Sequence, residues 1–125
     1  MNLNQVTVPS VDVERSISFY KKLGLSLIVE ALPNYARFEC AEGDATFSIH
    51  KVEELPKGDG VYVYFETSKL DIEVDRLIKE GIHFDQMPVD QTWLWREARL
   101  KDPDQNQVIL YFAGDNRKNP PWRVN

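Results

Sequence analysis

One stretch of this sequence occurs twice, and few folds of this size are built that way. Residues Val6–Leu25, VTVPSVDVERSISFYKKLGL, align without a gap on Val63–Ile82, VYFETSKLDIEVDRLIKEGI. Apolar positions coincide and the glycine is repeated, as in the pairs Val6 and Val63, Val13 and Leu70, Ile17 and Val74, and Gly24 and Gly81. Each copy has the pattern of a strand, an amphipathic helix that ends at a glycine, and a second strand. The sequence therefore predicts one supersecondary unit used twice.

Composition and charge limit the class of protein. A chain of 125 residues with 42% hydrophobic content forms one globular domain, which can bury about two thirds of its unfolded surface. The single cysteine, Cys40, excludes an internal disulfide, and the opening residues lack the pattern of a signal peptide. We therefore expect a cytoplasmic protein. A net charge of −5, with no basic run longer than Lys21–Lys22, predicts neither nucleic acid nor a membrane as partner.

The first module is predicted over residues 1–55. Asp12 is the expected N-cap of its helix and Gly24 its end, because a carboxylate can accept from free helical N–H groups and glycine tolerates a left-handed conformation. Val13, Ile17 and Tyr20 share one face of this helix and are predicted to be core. The predicted strands are Leu3–Val8, Leu25–Val29, Tyr35–Cys40 and Thr46–His50.

The second module is predicted over residues 60–114. Ser68 and Asp71 have the spacing of a capping box, and Gly81 ends the helix. The predicted core face of this helix comprises Leu70, Val74, Leu77 and Ile78, and the predicted strands are Val61–Glu66, Ile82–Gln86, Trp93–Leu100 and Gln107–Phe112. Residues 102–106, DPDQN, are typical of a turn. Both modules thus have the order βαβββ and the fold class is α+β. Residues 115–125, which contain Pro120–Pro121, are predicted to form an extended arm.

Alternation along the strands separates two faces. One face is apolar and is expected to cover the helices. The other is polar and aromatic together and includes Gln5, Thr7, Arg37, Glu39, Thr46, Ser48, His50, Tyr62, Tyr64, Glu66, Trp93, Trp95, Glu97, Arg99, Gln107, Ile109 and Tyr111. A ligand cavity has this mixed character. The alternative is a face that is merely solvated.

The repeated stretch and the segment KDPDQNQVILY resemble the vicinal oxygen chelate superfamily of glyoxalases, bleomycin-resistance proteins and extradiol dioxygenases. The resemblance covers Leu3–Gly114. It implies two tandem modules that form a curved mixed sheet, with helices on the outer face and a ligand cup on the other. In that superfamily the partner unit, in the same chain or across a two-fold axis, commonly completes each half-cup, so we expect a homodimer.

Members of the superfamily that are enzymes bind a divalent metal at four strand positions. By the resemblance these positions carry Gln5, Ser48, Tyr62 and Ile109 in this chain. Isoleucine offers no ligand atom, and hard cations and zinc need oxygen, nitrogen or thiolate donors. We therefore expect no metal and no cofactor. A relocated site that joins His50 to Glu39, Glu66 or Glu97 is the alternative.

The expected function is binding of a planar organic molecule without chemical conversion, similar to the bleomycin-resistance proteins. Trp93 and Trp95 are expected to project from one side of a strand and to form the main wall, unless they pack at a subunit interface. The predicted ligand-binding residues are Gln5, Arg37, Ser48, His50, Tyr62, Tyr64, Trp93, Trp95, Glu97, Arg99, Ile109 and Tyr111. The alternative is a lyase or dioxygenase with a rebuilt metal site, or a metal-free acid–base enzyme that uses Glu97, Tyr62 or His50.

Overall fold

A computed structural model describes residues 1–124 of the chain. Over these residues two copies of the βαβββ order follow each other, which confirms the predicted fold class. The elements are β1 Gln5–Ser10, α1 Val13–Leu23, β2 Ser26–Ala31, β3 Tyr35–Glu39, β4 Thr46–Lys51, β5 Tyr62–Glu66, α2 Leu70–Lys79, β6 Gln86–Asp90, β7 Arg96–Lys101, β8 Gln107–Phe112 and a 3₁₀ helix at Gly114–Arg117. Each module contributes its own four-stranded mixed sheet, rather than a share of one sheet.

The first unit comprises Met1–Gly60 together with Asp102–Asn106. Its sheet has the order β1-β4-β3-β2, in which β1 runs parallel to β4 and the other pairs are antiparallel. The ring of Tyr20 lies 5.9 Å from the ring of Phe38 and 4.6 Å from that of Phe47. Helix α1 therefore covers the apolar face of this sheet, as the alternation predicted.

Both predicted ends of α1 are confirmed. The Asp12 carboxylate accepts a hydrogen bond from the Arg15 backbone N–H at 3.1 Å, and Gly24 has a φ of 105°, in the left-handed region. Val13 and Tyr20 are buried, as is Ile17. Local capping chemistry and the apolar stripe are thus enough to define this helix.

The segment Asp102–Asn106 follows β7 in sequence but belongs to the first unit. Asp102 accepts a hydrogen bond from the hydroxyl of Tyr20 at 2.6 Å. Asp104 accepts from the Ser16 hydroxyl at 2.7 Å and from the Arg15 guanidinium at 2.8 Å. Both carboxylates are buried. The predicted turn is present, and its side chains in addition bond to residues far away in sequence.

The second unit comprises Val61–Lys101 and residues 107–125, of which residues 107–124 are described. Its sheet order, β5-β8-β7-β6, repeats that of the first unit. The predicted capping box at the start of α2 is wrong: the N-cap is Lys69, and it makes no side-chain cap. The Asp71 carboxylate instead pairs with Arg96 at 3.0 Å. The prediction that Ile78 belongs to the core is also wrong, because 42% of this residue is exposed.

Two predicted strands of the second unit lie elsewhere. The predicted strand at 82–86 is replaced by β6, and the predicted strand at 93–100 begins only at Arg96. Strand β7 begins late because the chain turns at residues 91–94. In this turn the N–H of Leu94 donates to the carbonyl of Gln91 at 3.0 Å, and Leu94 has a φ of 67°. Trp93 and Trp95 therefore lie in the connection between β6 and β7.

The C-terminal segment starts differently from the extended arm that Pro120–Pro121 predicts. Residues Gly114–Arg117 form a 3₁₀ helix, and the carbonyl of Asn116 accepts a hydrogen bond from the indole of Trp95 at 3.3 Å. The last residue of the predicted arm, Asn125, lies outside the described residues. Within residues 1–124 no helix has the length and apolar character needed to cross a membrane.

Candidate functional site

Strand register gives equivalent positions in the two units. In the first unit Ser48 faces Thr7 on one side and Arg37 on the other. In the second unit Ile109 faces Tyr64 and Arg99 in the same way. Arg37 of β3 and Arg99 of β7 are therefore equivalent, and so are their neighbours two residues earlier, Tyr35 and Glu97. The predicted site residues thus lie on equivalent strands of the two units, but the side chains at equivalent positions differ between the units.

The polar face of the first sheet carries a chain of hydrogen bonds. The Thr46 hydroxyl donates to the side-chain carbonyl of Gln5, and the Gln5 amide donates to Ser48 Oγ at 2.7 Å. Ser48 Oγ lies 2.7 Å from the hydroxyl oxygen of Tyr35, which also accepts from Arg37 Nε at 2.9 Å. This chain of hydrogen bonds thus brings together three of the predicted site residues, Gln5, Arg37 and Ser48.

Tyr35 is a member of this network that the sequence reasoning missed. The pKa of Tyr35 is lowered from its usual value near 10, because hydrogen bonds stabilise the phenolate. The hydrogen bond from Ser48 has the largest effect, and the one from Arg37 adds to it. The signal was present, because Tyr35 stands two residues before Arg37 in the same strand and must share its face. It was overlooked because it opens the strand.

The residues at the four family metal positions do not fit a metal. Gln5 and Ser48 are in contact, but the Gln5 amide nitrogen and the Ser48 hydroxyl are used by each other and by their neighbours. Tyr62 is 39% exposed, and Ile109 is buried in an apolar cluster with Tyr111. Within the described chain no three His, Cys, Asp or Glu side chains are grouped as ligands, so none gathers around His50. His50 faces Tyr35 across the ladder and is exposed.

An aromatic cluster occupies the polar and aromatic face of the second sheet. The rings of Trp95 and Tyr111 are stacked, 4.8 Å apart with an angle of 28° between their planes. Tyr64 meets both edge-on, at 5.8 Å from Trp95 and 5.3 Å from Tyr111. Such geometries are the favourable ones for aromatic pairs. Burial is the main reason that the pKa values of Tyr64 and Tyr111 are raised.

A buried carboxylate lies on the same face. Only 1% of the Glu97 side chain is exposed, and it accepts from the indole nitrogen of Trp93 at 2.8 Å and from Arg99 Nη2 at 3.0 Å. Arg99 Nε is buried and has no hydrogen-bond partner in the described part of the chain. The structure thus joins Trp93, Glu97 and Arg99 by hydrogen bonds, whereas Trp95 contacts Tyr64 and Tyr111. Neither tryptophan stands on a strand.

A sequence-family model matches residues 2–110 and describes the glyoxalase/bleomycin resistance protein/dioxygenase superfamily. The chain belongs to this superfamily. The family model covers both modules, and its name agrees with the resemblance carried by the repeated stretch. A search of curated proteins finds no match.

Solved structures share the superfamily fold with this member. A lactoylglutathione lyase from Agrobacterium tumefaciens is 14% identical over 89% of this chain and 92% of its own, with a TM-score of 0.75. A glyoxalase/bleomycin resistance protein/dioxygenase from Nocardioides is 24% identical over 100% and 90%, with a TM-score of 0.75. A bleomycin-binding protein complexed with bleomycin is 18% identical over 90% and 98%, with a TM-score of 0.72. At these identities the likeness establishes the fold alone.

A cleft of about 240 Å³ lies elsewhere in the first unit of this superfamily member. Its lining contains none of the predicted site residues and includes Val11, Asp12, Glu14, Leu32, Pro33 and Lys51. The predicted ligand-binding side chains of the first unit instead lie on the polar face of its sheet, where Arg37 is exposed and Ser48 is buried. The side chains of that face and of the aromatic face of the second sheet are therefore the candidates for binding a ligand.

Proposed function

We propose that this protein binds a planar organic molecule, without converting it, against the aromatic face of the second sheet. The observation that carries this is the exposed aromatic surface next to a fixed polar centre. Trp93 and Tyr64 are 41% and 42% exposed, which is a large fraction for aromatic side chains. Exposed apolar surface that is rimmed by polar groups is typical of a binding site. The superfamily structure bound to bleomycin supports this choice of function.

Each side chain has a distinct part in the proposal. The hydrogen bond between Trp93 and Glu97 fixes the plane of the exposed indole, so that little entropy is lost when a ligand stacks on it. Trp95, Tyr111 and Tyr64 supply a second aromatic surface, in which the three rings contact one another. The Glu97 carboxylate is enclosed and cannot itself reach a ligand, so it acts as a positioning residue. This enclosure also argues against the acid–base enzyme in which Glu97 is the catalyst.

Fluorescence titration tests this proposal directly. A library of aromatic amines and aromatic carboxylates is titrated into the full chain while tryptophan emission is followed. We expect at least one saturable binder, whose affinity falls at least tenfold in Trp93→Ala or Trp95→Ala, because tenfold is about 1.4 kcal/mol and stacking contributes about this much. Trp122→Ala is the matched control, since this indole lies outside the cluster and is 56% exposed.

The rival role for these tryptophans is a subunit interface, where aromatic residues are enriched. We propose a homodimer, supported by the membership of this superfamily, and sedimentation of the parent and of Trp93→Ala separates the two roles of the aromatic face. A parent with no saturable ligand, together with dissociation in the variant, would assign the aromatic face to the interface. An intact oligomer with weakened ligand binding supports the site.

A further inference from the structure

We propose that the polar face of the first sheet binds an organic carboxylate through Arg37 and the hydroxyl of Tyr35. This site goes beyond the aromatic face proposed above and lies in the other unit. Three observations support it. The hydrogen bonds on this face run in one direction, and Arg37 has no counter-ion among the described residues. The equivalent arginine of the second unit, Arg99, does have one.

The hydrogen bonds on this face run in one direction. Ser48 Oγ accepts from the Gln5 amide, and Ser48 is fully buried. Within residues 1–124 Tyr35 is the remaining partner of that hydroxyl, so Ser48 must donate to Tyr35, because a buried O–H without an acceptor is costly. Tyr35 then accepts from Ser48 and from Arg37 Nε. Both of its lone pairs are used, and its own proton is free to be donated outward.

The guanidinium of Arg37 is oriented but not neutralised. Its Nε donates to Tyr35, and its centre lies 5.5 Å from the centroid of the Tyr35 ring. Among the described residues no carboxylate forms an ion pair with it, which leaves the Nη1 and Nη2 groups for a ligand. The chain of donors therefore ends in N–H and O–H groups that have no acceptor among the described residues. Two guanidinium N–H groups match the two oxygens of a carboxylate.

The second unit shows what a neutralised arginine looks like at the same position. Arg99 has Glu97 two residues before it, and the two side chains form an ion pair at 3.0 Å. In the first unit this place is taken by Tyr35, which contributes a hydroxyl instead of a negative charge. Among residues 1–124, the first of the two equivalent faces alone thus presents an uncompensated cation beside a polarised phenol. The lowered pKa of Tyr35 agrees with this, since a more acidic phenol is a stronger hydrogen-bond donor.

The test uses a non-aromatic carboxylate, so that the aromatic face does not respond. Cyclohexanecarboxylate is titrated into ¹⁵N-labelled full-length protein at about 0.1 M salt, which screens weak attraction between exposed charges. The arginine Nε–Hε signals are followed, and that of Arg37 is identified by its loss in Arg37→Met. We expect saturable shifts of the Arg37 signal and of backbone signals in β3 and β4. The neutral cyclohexanecarboxamide should bind at least tenfold more weakly.

Variants separate the site from general charge. Arg37→Met should weaken binding, followed on the backbone signals, at least tenfold, and Tyr35→Phe at least threefold. Lys22→Met is the matched control, because it removes one positive charge from α1, which covers the opposite face of the same sheet, and its affinity should be unchanged. The backbone spectrum of each variant verifies folding. If Arg37→Met does not fold, Arg37→Lys keeps the charge but loses the planar fork and should bind several times more weakly.

Two results would overturn the proposal. One is a parent protein in which cyclohexanecarboxylate gives no saturable shift at millimolar concentrations. The other is equal affinity in the parent and in a folded Arg37 variant. Since the tryptophans all lie in the second unit, tryptophan emission tests the aromatic face without reference to Arg37, so either site can fail by itself.

Discussion

The hydroxyl of Tyr20 donates a 2.6 Å hydrogen bond to the buried carboxylate of Asp102, 82 residues further along the chain. Tyr20 is itself completely buried, and its pKa is raised far above the usual value, chiefly by burial and then by the charge of Asp102. Asp102 also accepts from the backbone N–H groups of Asp104 and Asn106, at 2.9 Å each. One side chain of α1 therefore helps to fix a turn that comes late in the sequence.

Replacing Tyr20 by Phe should lower the free energy of unfolding by about 2 kcal/mol. The ring and its contacts with Phe38 and Phe47 remain, but the buried carboxylate of Asp102 loses a donor, and hydrogen bonds to charged groups are worth about 1.5–3 kcal/mol. Urea denaturation followed by circular dichroism measures the difference. Tyr62→Phe is the control, with an expected change below about 0.5 kcal/mol because Tyr62 is exposed. Equal losses in the two variants would contradict the assignment.

The stability that Asp102 contributes should depend on pH. Burial raises the pKa of Asp102 above the reference value of 3.8, against the opposing effect of its hydrogen bonds. The folded state therefore holds this proton more tightly than the unfolded state. The contribution is complete below a pH of 3.8 and is lost as the pH rises through the folded pKa. Relative to Asp102→Asn, the parent should be most stable at the acid end, as measured by urea denaturation over a pH series. A difference that grows with pH would show that the hydrogen bonds outweigh burial.

The pair formed by Glu97 and Arg99 should show strong coupling. Arg99→Met leaves an enclosed carboxylate with the Trp93 indole as its remaining side-chain donor. Breaking a buried pair costs about 3–5 kcal/mol, and we expect about 2 kcal/mol because 35% of the Arg99 side chain is exposed. The double variant Glu97→Gln/Arg99→Met should be destabilised by about 1 kcal/mol less than the sum of the single variants. Additive losses in a double-mutant cycle would exclude the ion pair as a source of stability.

Two apolar residues of α2 give a direct test of its orientation. Val74 is fully buried, so Val74→Ala should cost about 1–3 kcal/mol through lost contacts and a residual cavity. Ile78→Ala should cost about 0.5 kcal/mol or less, since 42% of this residue is exposed. Thermal or urea unfolding of both variants decides the matter. A larger loss at Ile78 than at Val74 would mean that the helix packs on a different face.

The modules and the first helix were predictable because their signals are local. The Asp12 cap, the glycine at the end of α1 and the apolar stripe each depend on residues within a few positions of one another. The strand over Trp93 and Trp95 was predicted wrongly because the two tryptophans stand two positions apart, as side chains on one face of a strand do. A left-handed residue at Leu94 converts that segment into a turn, and composition gives no sign of it.

The candidate sites were predictable as a set of strand positions but not as contacts. Alternation placed Arg37 and Ser48 on one face, and Glu97 and Arg99 on another, as the structure has them. Glu97 pairs with Arg99, whereas Arg37 pairs with no carboxylate among the described residues. This difference depends on side-chain geometry, which alternation does not give. So does the enclosure of Glu97, which changes its role from a ligand contact to a support for Trp93.

The return of residues 102–106 to the first unit bears on how the protein is synthesised. The N-terminal 60 residues contain four strands and α1, but they lack the carboxylates that accept from Val11, Ser16 and Tyr20. At a translation rate of about 5–20 residues per second, the ribosome needs about 2–9 s to extend the chain from residue 60 to residue 106. During that interval Val11, Ser16 and Tyr20 cannot donate hydrogen bonds to these carboxylates. Its completion therefore has to wait for the second half of the chain.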